Sequence, residues 1–211
     1  ESNMRPIHIT DQAPDNDTTL KILWSQQQEA RIDAERRLSG RLRREYLGYN
    51  FKNLSFKPGE SLQTNKIHRV VLVSMWRSGS SFVGDLLSSF PGTFYTYEPL
   101  HYLSQNQMVD SDILVNKSMS LLRNILKCSF TKQLEYVAEF KNFMESVQHN
   151  RRFWRACARY PSLCYDPWFL ENICPYFPVH VIKVLRLELS HISQILDEDD
   201  LGDVKIIYLI R

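Results

Sequence analysis

Five consecutive residues of this chain, Arg77-Ser78-Gly79-Ser80-Ser81, supply one cation, three hydroxyls and a glycine. The apolar run Val70-Val71-Leu72-Val73 precedes them, and Phe82, Val83, Leu86, Leu87 and Phe90 follow at helical spacing. The segment therefore reads as a buried strand, a tight polar loop and a helix start. That order builds an anion site, because the first amides of a helix have no backbone partner and point at whatever lies before them. Gly79 lets the backbone approach a ligand, the serines donate hydrogen bonds, and Arg77 can hold phosphate or sulfate oxygens in pairs. The loop lacks the upstream glycine and the Lys-Ser/Thr pair of the nucleoside-triphosphate loop, which argues against an ordinary ATPase or kinase.

Other groups could complete a reaction. Glu98 follows Phe94-Tyr95-Thr96-Tyr97 and is the candidate general base for a hydroxyl nucleophile. Tyr95, Tyr97 and Pro99 predict a partly apolar setting that would raise its pKa. The competing reading is a carboxylate capping a helix that starts near Pro99, and His101 is a rival base. Arg211 ends the apolar run Val204–Ile210 and offers a second guanidinium. Lys183 lies inside the apolar run Val181-Ile182-Lys183-Val184-Leu185, where a lysine needs a partner or an anion. It and Arg186 read either as site residues or as a structural ion pair. Arg151, Arg152, Arg155 and Arg159, interleaved with Phe153 and Trp154, read as a solvated helix face or as a grip on an acidic glycan.

These residues must be carried by a scaffold. Apolar runs at Val70–Ser74, Phe94–Tyr97, Val179–Leu185 and Val204–Ile210 alternate with helical patterns. The pattern predicts an α/β domain with a parallel sheet. Ligands of such sheets sit outside the carboxyl ends of the strands. The Arg77–Ser81 loop, Glu98 and Arg211 are all expected at those ends. Residues 101–175 read as mostly helical, and Leu187–Leu196 as one helix. Upstream, residues 1–17 are polar, and residues 18–46 carry a helical but imperfect stripe of Leu20, Leu23, Trp24, Ile32, Leu38, Leu42 and Tyr46. That helix packs on the domain or forms a stem. A homodimeric coiled coil is the alternative, disfavoured by the unclean heptad. Gly48, Pro58 and Gly59 mark a linker, so the expected division is 1–65 stem and linker, 66–211 domain.

The formal charge of +2 over 211 residues gives no reason to expect nucleic acid. No apolar run approaches the ~20 residues of a membrane span. Four cysteines, Cys128, Cys157, Cys164 and Cys174, match no standard zinc spacing and allow two disulfides in three pairings, or buried free thiols. Asn16, Asn53 and Asn116 each begin an N-x-[ST] sequon, which together with the cysteines favours a lumenal, oxidising compartment. No His/Cys/Asp constellation suggests a metal.

Arg77-Ser78-Gly79-Ser80-Ser81-Phe82-Val83-Gly84, followed by Phe94-Tyr95-Thr96-Tyr97-Glu98-Pro99-Leu100, resembles the Golgi carbohydrate 6-O-sulfotransferases. The resemblance is strong over 70–100 and weaker over 179–211. It implies a P-loop-like sulfotransferase fold and 3′-phosphoadenosine-5′-phosphosulfate (PAPS) as donor. The acceptor would be galactose, N-acetylgalactosamine or N-acetylglucosamine in a glycan or glycosaminoglycan. It further implies that Arg77, Ser78, Gly79, Ser80, Ser81 and Phe82 hold the 5′ end of PAPS and Arg211 its 3′-phosphate. A Golgi-lumenal type II protein with its anchor upstream of this chain is expected. The family continues the last strand as Arg-Asp-Pro-Arg with a later serine, whereas this chain stops at Arg211, so a truncated piece of a longer enzyme is expected. The alternatives are a noncatalytic lumenal glycan-binding protein on the same fold and an atypical nucleotide kinase.

Overall fold

The computed structural model describes residues 18–47, 67–104, 107–197 and 199–210. Residues 1–17 and the 48–66 linker lie outside them, as do Asn16, Asn53 and Arg211. Four strands form one parallel sheet: β1 His68–Ser74, β2 Thr93–Tyr97, β3 Val179–Val184 and β4 Val204–Leu209. Their order is β2-β3-β1-β4. Val70 lies opposite Val181 and Lys205, and Tyr97 opposite Lys183. This is the α/β architecture expected from the alternation of strands and helices.

The period of two along each strand sorts the side chains onto two faces. Val71, Val73, Phe94, Ile182 and Val184 enter the main core, while Tyr95, Tyr97 and Val181 pack with Val70 and Leu87 on the other side. Leu87 belongs to the helix α2, Ser80–Ser89, which covers that second face. α2 lies close on the sheet because position 84 is glycine: a methyl group there would overlap the Tyr95 hydroxyl. The connection leaving β1 runs toward β2, and the one leaving β3 runs toward β4, so adjacent β1 and β3 bound a switch point at their carboxyl ends.

The N-terminal helix α1, Thr18–Leu47, buries Ala34, Leu38, Leu42 and Tyr46, a four-residue spacing that makes one face. These side chains belong to the main core. Polar ties fix the same helix. Arg31 Nη2 lies 2.7 Å from Asp166 Oδ2, Tyr46 donates to the Tyr176 carbonyl (3.0 Å), Tyr176 donates to Glu35, and Tyr160 donates to Asp33 (2.9 Å). Asp166 also accepts from the amides of Trp168 and Phe169, capping the helix Pro167–Ile173, so this buried carboxylate is fully engaged. The expected single helix over 187–196 is instead the short helix Leu189–Ile192 followed by a 3-10 turn, Ser193–Asp197. Ser193 Oγ donates to the Ser190 carbonyl (2.9 Å), the local competition with backbone that makes serine a poor helix interior.

Both disulfides form, as Cys128–Cys174 and Cys157–Cys164. His180 packs against the first, its Nε2 donating to the Cys174 carbonyl (3.1 Å). Cys128, Cys174 and His180 are the one His/Cys/Asp/Glu group among the described residues compact enough for a metal ion. The bridge removes both sulfurs as thiolate ligands.

Burial lowers the His180 pKa to about 4 from 6.5. The unfolded chain binds this proton more tightly than the fold does, so stability is full above pH 6.5 and declines as pH falls from 6.5 toward 4. Denaturant unfolding at pH 7.5, 6 and 5 is expected to show that decline, and His180→Phe should flatten it. Leu38→Ala, on the buried face of α1, should cost about 3 kcal/mol in the same measurement.

Candidate active site

Three residues that follow strand ends adopt left-handed backbone: Arg77 after β1 (φ 63°), Glu98 after β2 (φ 42°) and Arg186 after β3 (φ 73°). Each such conformation costs a non-glycine residue about 1 kcal/mol or more. Parallel strands bring all three to one edge of the sheet.

In the loop after β1, Gly79 takes φ 85° and its carbonyl accepts from the Val83 amide (3.3 Å). The amides of Ser80, Ser81 and Phe82 therefore precede the first helical donor of α2. The hydroxyls of Ser74 and Ser78 are buried with no hydrogen-bond partner among the described residues. Arg77 and Phe82 are exposed. This donor set suits an anion of several oxygens.

Glu98 lies in a clamp of two cations. Lys183 Nζ donates to Oε1 (2.8 Å) and Arg186 Nη1 to Oε2 (2.8 Å). Glu98, Lys183 and Arg186 are 9%, 1% and 5% exposed. Burial alone would raise the Glu98 pKa. Hydrogen bonds and charge from Lys183 and Arg186 outweigh it and hold the carboxyl below its ordinary 4.5. The direction is opposite to the rise expected from the apolar neighbours.

Lys183 reaches further. Its Nζ also donates to Ser81 Oγ (2.9 Å) and lies 4.2 Å from the centroid of the Tyr97 ring. The Tyr97 ring in turn stacks on His149 at 3.9 Å, and His149 Nδ1 is 2.9 Å from Asp85 on α2. Burial, with Glu98 nearby, raises the Tyr97 pKa to about 12. Arg186 lies 5.6 Å from the ring of Trp76 in the loop. Lys183 in β3 and Arg186 just after it thus connect the anion loop to the carboxylate. His101 stacks on Phe143 at 4.1 Å, and its amide donates to the Glu98 carbonyl (3.0 Å). Burial, then the charge of Arg186, lowers its pKa. Glu98, Pro99, His101, Tyr102, Glu139 and Phe143 line a small pocket beside the clamp.

Known proteins carry similar sequences. The chain is 35% identical to mouse (Mus musculus) carbohydrate sulfotransferase 7 over 74 residues, 35% of this chain and 15% of that protein. It is 33% identical to human (Homo sapiens) carbohydrate sulfotransferase 5 over 181 residues, 74% of this chain and 43% of that protein. Human carbohydrate sulfotransferase 6 is 26% identical over 179 residues, 74% of this chain and 44% of that protein. The chain belongs to the carbohydrate sulfotransferase family. It spans less than half the length of each of these relatives. No family model matches it. No solved structure matches it either.

Of the residues singled out in the sequence, Arg77, Ser78, Gly79, Ser80, Ser81 and Phe82 occupy the loop and helix start, and Glu98 stands across from them. Arg211 is outside the described residues. Lys183 and Arg186, which the sequence left between two readings, are the partners of Glu98. The signal for Lys183 was a charge inside a run of buried strand residues. Trp76 and His149 enter only through the fold, and Tyr97, read in the sequence as part of an apolar setting, is found under the Lys183 ammonium.

Glu98→Gln leaves two buried cations facing a neutral amide and should lose about 3 kcal/mol in denaturant unfolding. A double-mutant cycle with Lys183→Met should give a coupling of about 2 kcal/mol. Because the folded Glu98 pKa is depressed, this contribution is full above 4.5 and lost as pH falls below it. A coupling near zero would show that the two residues do not act as a pair.

Proposed function

We propose that this chain forms the donor-binding part of an enzyme that transfers a sulfuryl group from PAPS to the 6-hydroxyl of a sugar in a glycan or glycosaminoglycan. The observation that carries the reading is Lys183, which bonds both to Ser81 in the anion loop and to Glu98. It ties a place for a charged donor to a place for a hydroxyl acceptor. PAPS supplies the activated sulfuryl group and leaves as adenosine 3′,5′-bisphosphate. In this reading Arg77, Ser78, Gly79, Ser80, Ser81 and Phe82 hold its 5′ end and Arg211 its 3′-phosphate. The Ser78 hydroxyl, buried with no partner among the described residues, supports the fit.

The sugar oxygen forms the new S–O bond as the bond from sulfur to the 5′-phosphate oxygen breaks. Glu98 takes the hydroxyl proton, while Arg77 and Lys183 counter charge growing on the leaving oxygen. The clamp has two opposed effects on Glu98. It keeps the carboxylate ionised and fixed in direction, and it makes it a weaker base. Orientation is the gain, because an ionised acceptor is then present throughout the neutral range.

Lumenal Golgi placement is part of the proposal, supported by two disulfides and by an exposed Asn116 in its sequon on the helix Asp112–Leu126. Among the described residues no helix is long and apolar enough to cross a membrane. Self-association through α1 is supported by its exposed Leu20, Ile22, Leu23 and Ile32.

Calorimetry should show adenosine 3′,5′-bisphosphate binding in preference to ATP, and Arg77→Ala should weaken it by about 2 kcal/mol. Radiolabelled sulfate transfer should be followed for this chain and for a C-terminally extended form. In whichever form is active, Glu98→Gln should lower turnover about 100-fold or more. Preference for ATP, or full turnover in the Glu98 variant, would refute the assignment.

A further inference from the structure

A second charged surface lies away from the Glu98 clamp. The helix α3, Arg151–Cys157, packs along the C-terminal half of α1. Together they gather Arg37, Arg41 and Arg44 from α1 with Arg152, Arg155 and Arg159 from α3 and the turn after it. Arg44, Arg155 and Arg159 are exposed, and the other three are half-buried. Two carboxylates offset them: Asp33, 3.1 Å from Arg37 Nη2, and Glu45, 2.7 Å from Arg152 Nε. Six cations against two carboxylates leave a surplus of four on one face, more than the +2 of the whole chain.

The crowding has physical signs. The Arg41 pKa is lowered by burial first and then by Arg155, Arg44 and Arg152, with Glu45 opposing. Arg37 and Arg159 both lie against the Tyr160 ring, 5.7 and 5.9 Å from its centroid, which holds two guanidiniums near one another. Like charges kept this close favour an anion with several acceptor groups along its length. The position is also defined. Arg152 Nη1 donates to the Ser88 carbonyl (2.7 Å) at the C-terminal end of α2. Ser81 stands at the other end, about 10 Å along the helix.

We propose that this α1–α3 face binds an anionic polysaccharide, one bearing sulfate or carboxylate groups, at a site separate from the Glu98 clamp. The choice of polysaccharide rests on the reading that a member of the carbohydrate sulfotransferase family acts on a glycan. It does not rest on how the donor is held. Guanidinium forks match sulfate and carboxylate groups spaced along such a chain.

The test offers chondroitin sulfate, and in parallel uncharged dextran and vesicles rich in phosphatidylserine, to the 211-residue chain over a range of salt. Chondroitin sulfate should bind and dextran should not. Arg41→Gln/Arg44→Gln/Arg155→Gln should weaken binding about tenfold or more and lower the slope of log affinity on log salt by about 2. Its melting temperature and its binding of adenosine 3′,5′-bisphosphate should match the parent. If the triple variant melts early, Arg44→Glu/Arg155→Glu, at exposed positions only, replaces it and should weaken binding likewise. Unchanged affinity in these variants, or vesicles binding as tightly through the same arginines, overturns the proposal. Failure of the bisphosphate to bind would count against the donor reading alone.

Discussion

A carboxylate buried at the edge of a sheet must be neutralised, and the meeting of Glu98 with Lys183 and Arg186 is the arrangement on which the site depends. Neither cation could be buried alone, and neither could the acid. Because Glu98 follows β2 while Lys183 lies in β3 and Arg186 just beyond it, the pairing holds two neighbouring strands in register at the end where their loops diverge. Lys183 then carries that order across to Ser81. The anion loop is therefore held from two sides, by β1 beneath it and by a charge from the adjacent strand.

The same logic accounts for the strained backbone. Arg77, Glu98 and Arg186 all turn into left-handed conformations within three residues of their strand ends. A strand running on in extended form would send its next side chains alternately to the two faces of the sheet. The left-handed residue turns the chain sharply at the sheet edge. The ion pairs and the ring contact between Arg186 and Trp76 supply what those conformations cost.

Much of this was legible in the chain and some was not. The strand, loop and helix around Arg77 could be read because an apolar run, a glycine among serines and a helical apolar repeat stand next to each other. All four strands were readable for the same local reason. The sheet order was not, since about 80 residues separate β2 from β3 and nothing local says that β3 inserts between β2 and β1. Without that order Glu98 has no neighbours, so its tyrosines suggested a raised pKa where two distant cations lower it. Lys183 could not be assigned because the two readings were not exclusive: it is an ion-pair residue and it touches the loop. The cysteine pairing was likewise open until the fold brought Cys128 beside Cys174. Arg151 to Arg159 looked like an ordinary solvated stripe because the arginines of α1 that join them lie more than a hundred residues earlier.

Gly84 has a reach beyond its own position. By letting α2 settle against Tyr95, it sets the height of the whole helix above the sheet. Ser81 is one turn away on that same helix, within 2.9 Å of Lys183. Lifting α2 by the width of a single methyl would open that gap. A buried hydrogen absent from any list of polar groups is thus the shim that keeps the two halves of the site in touch.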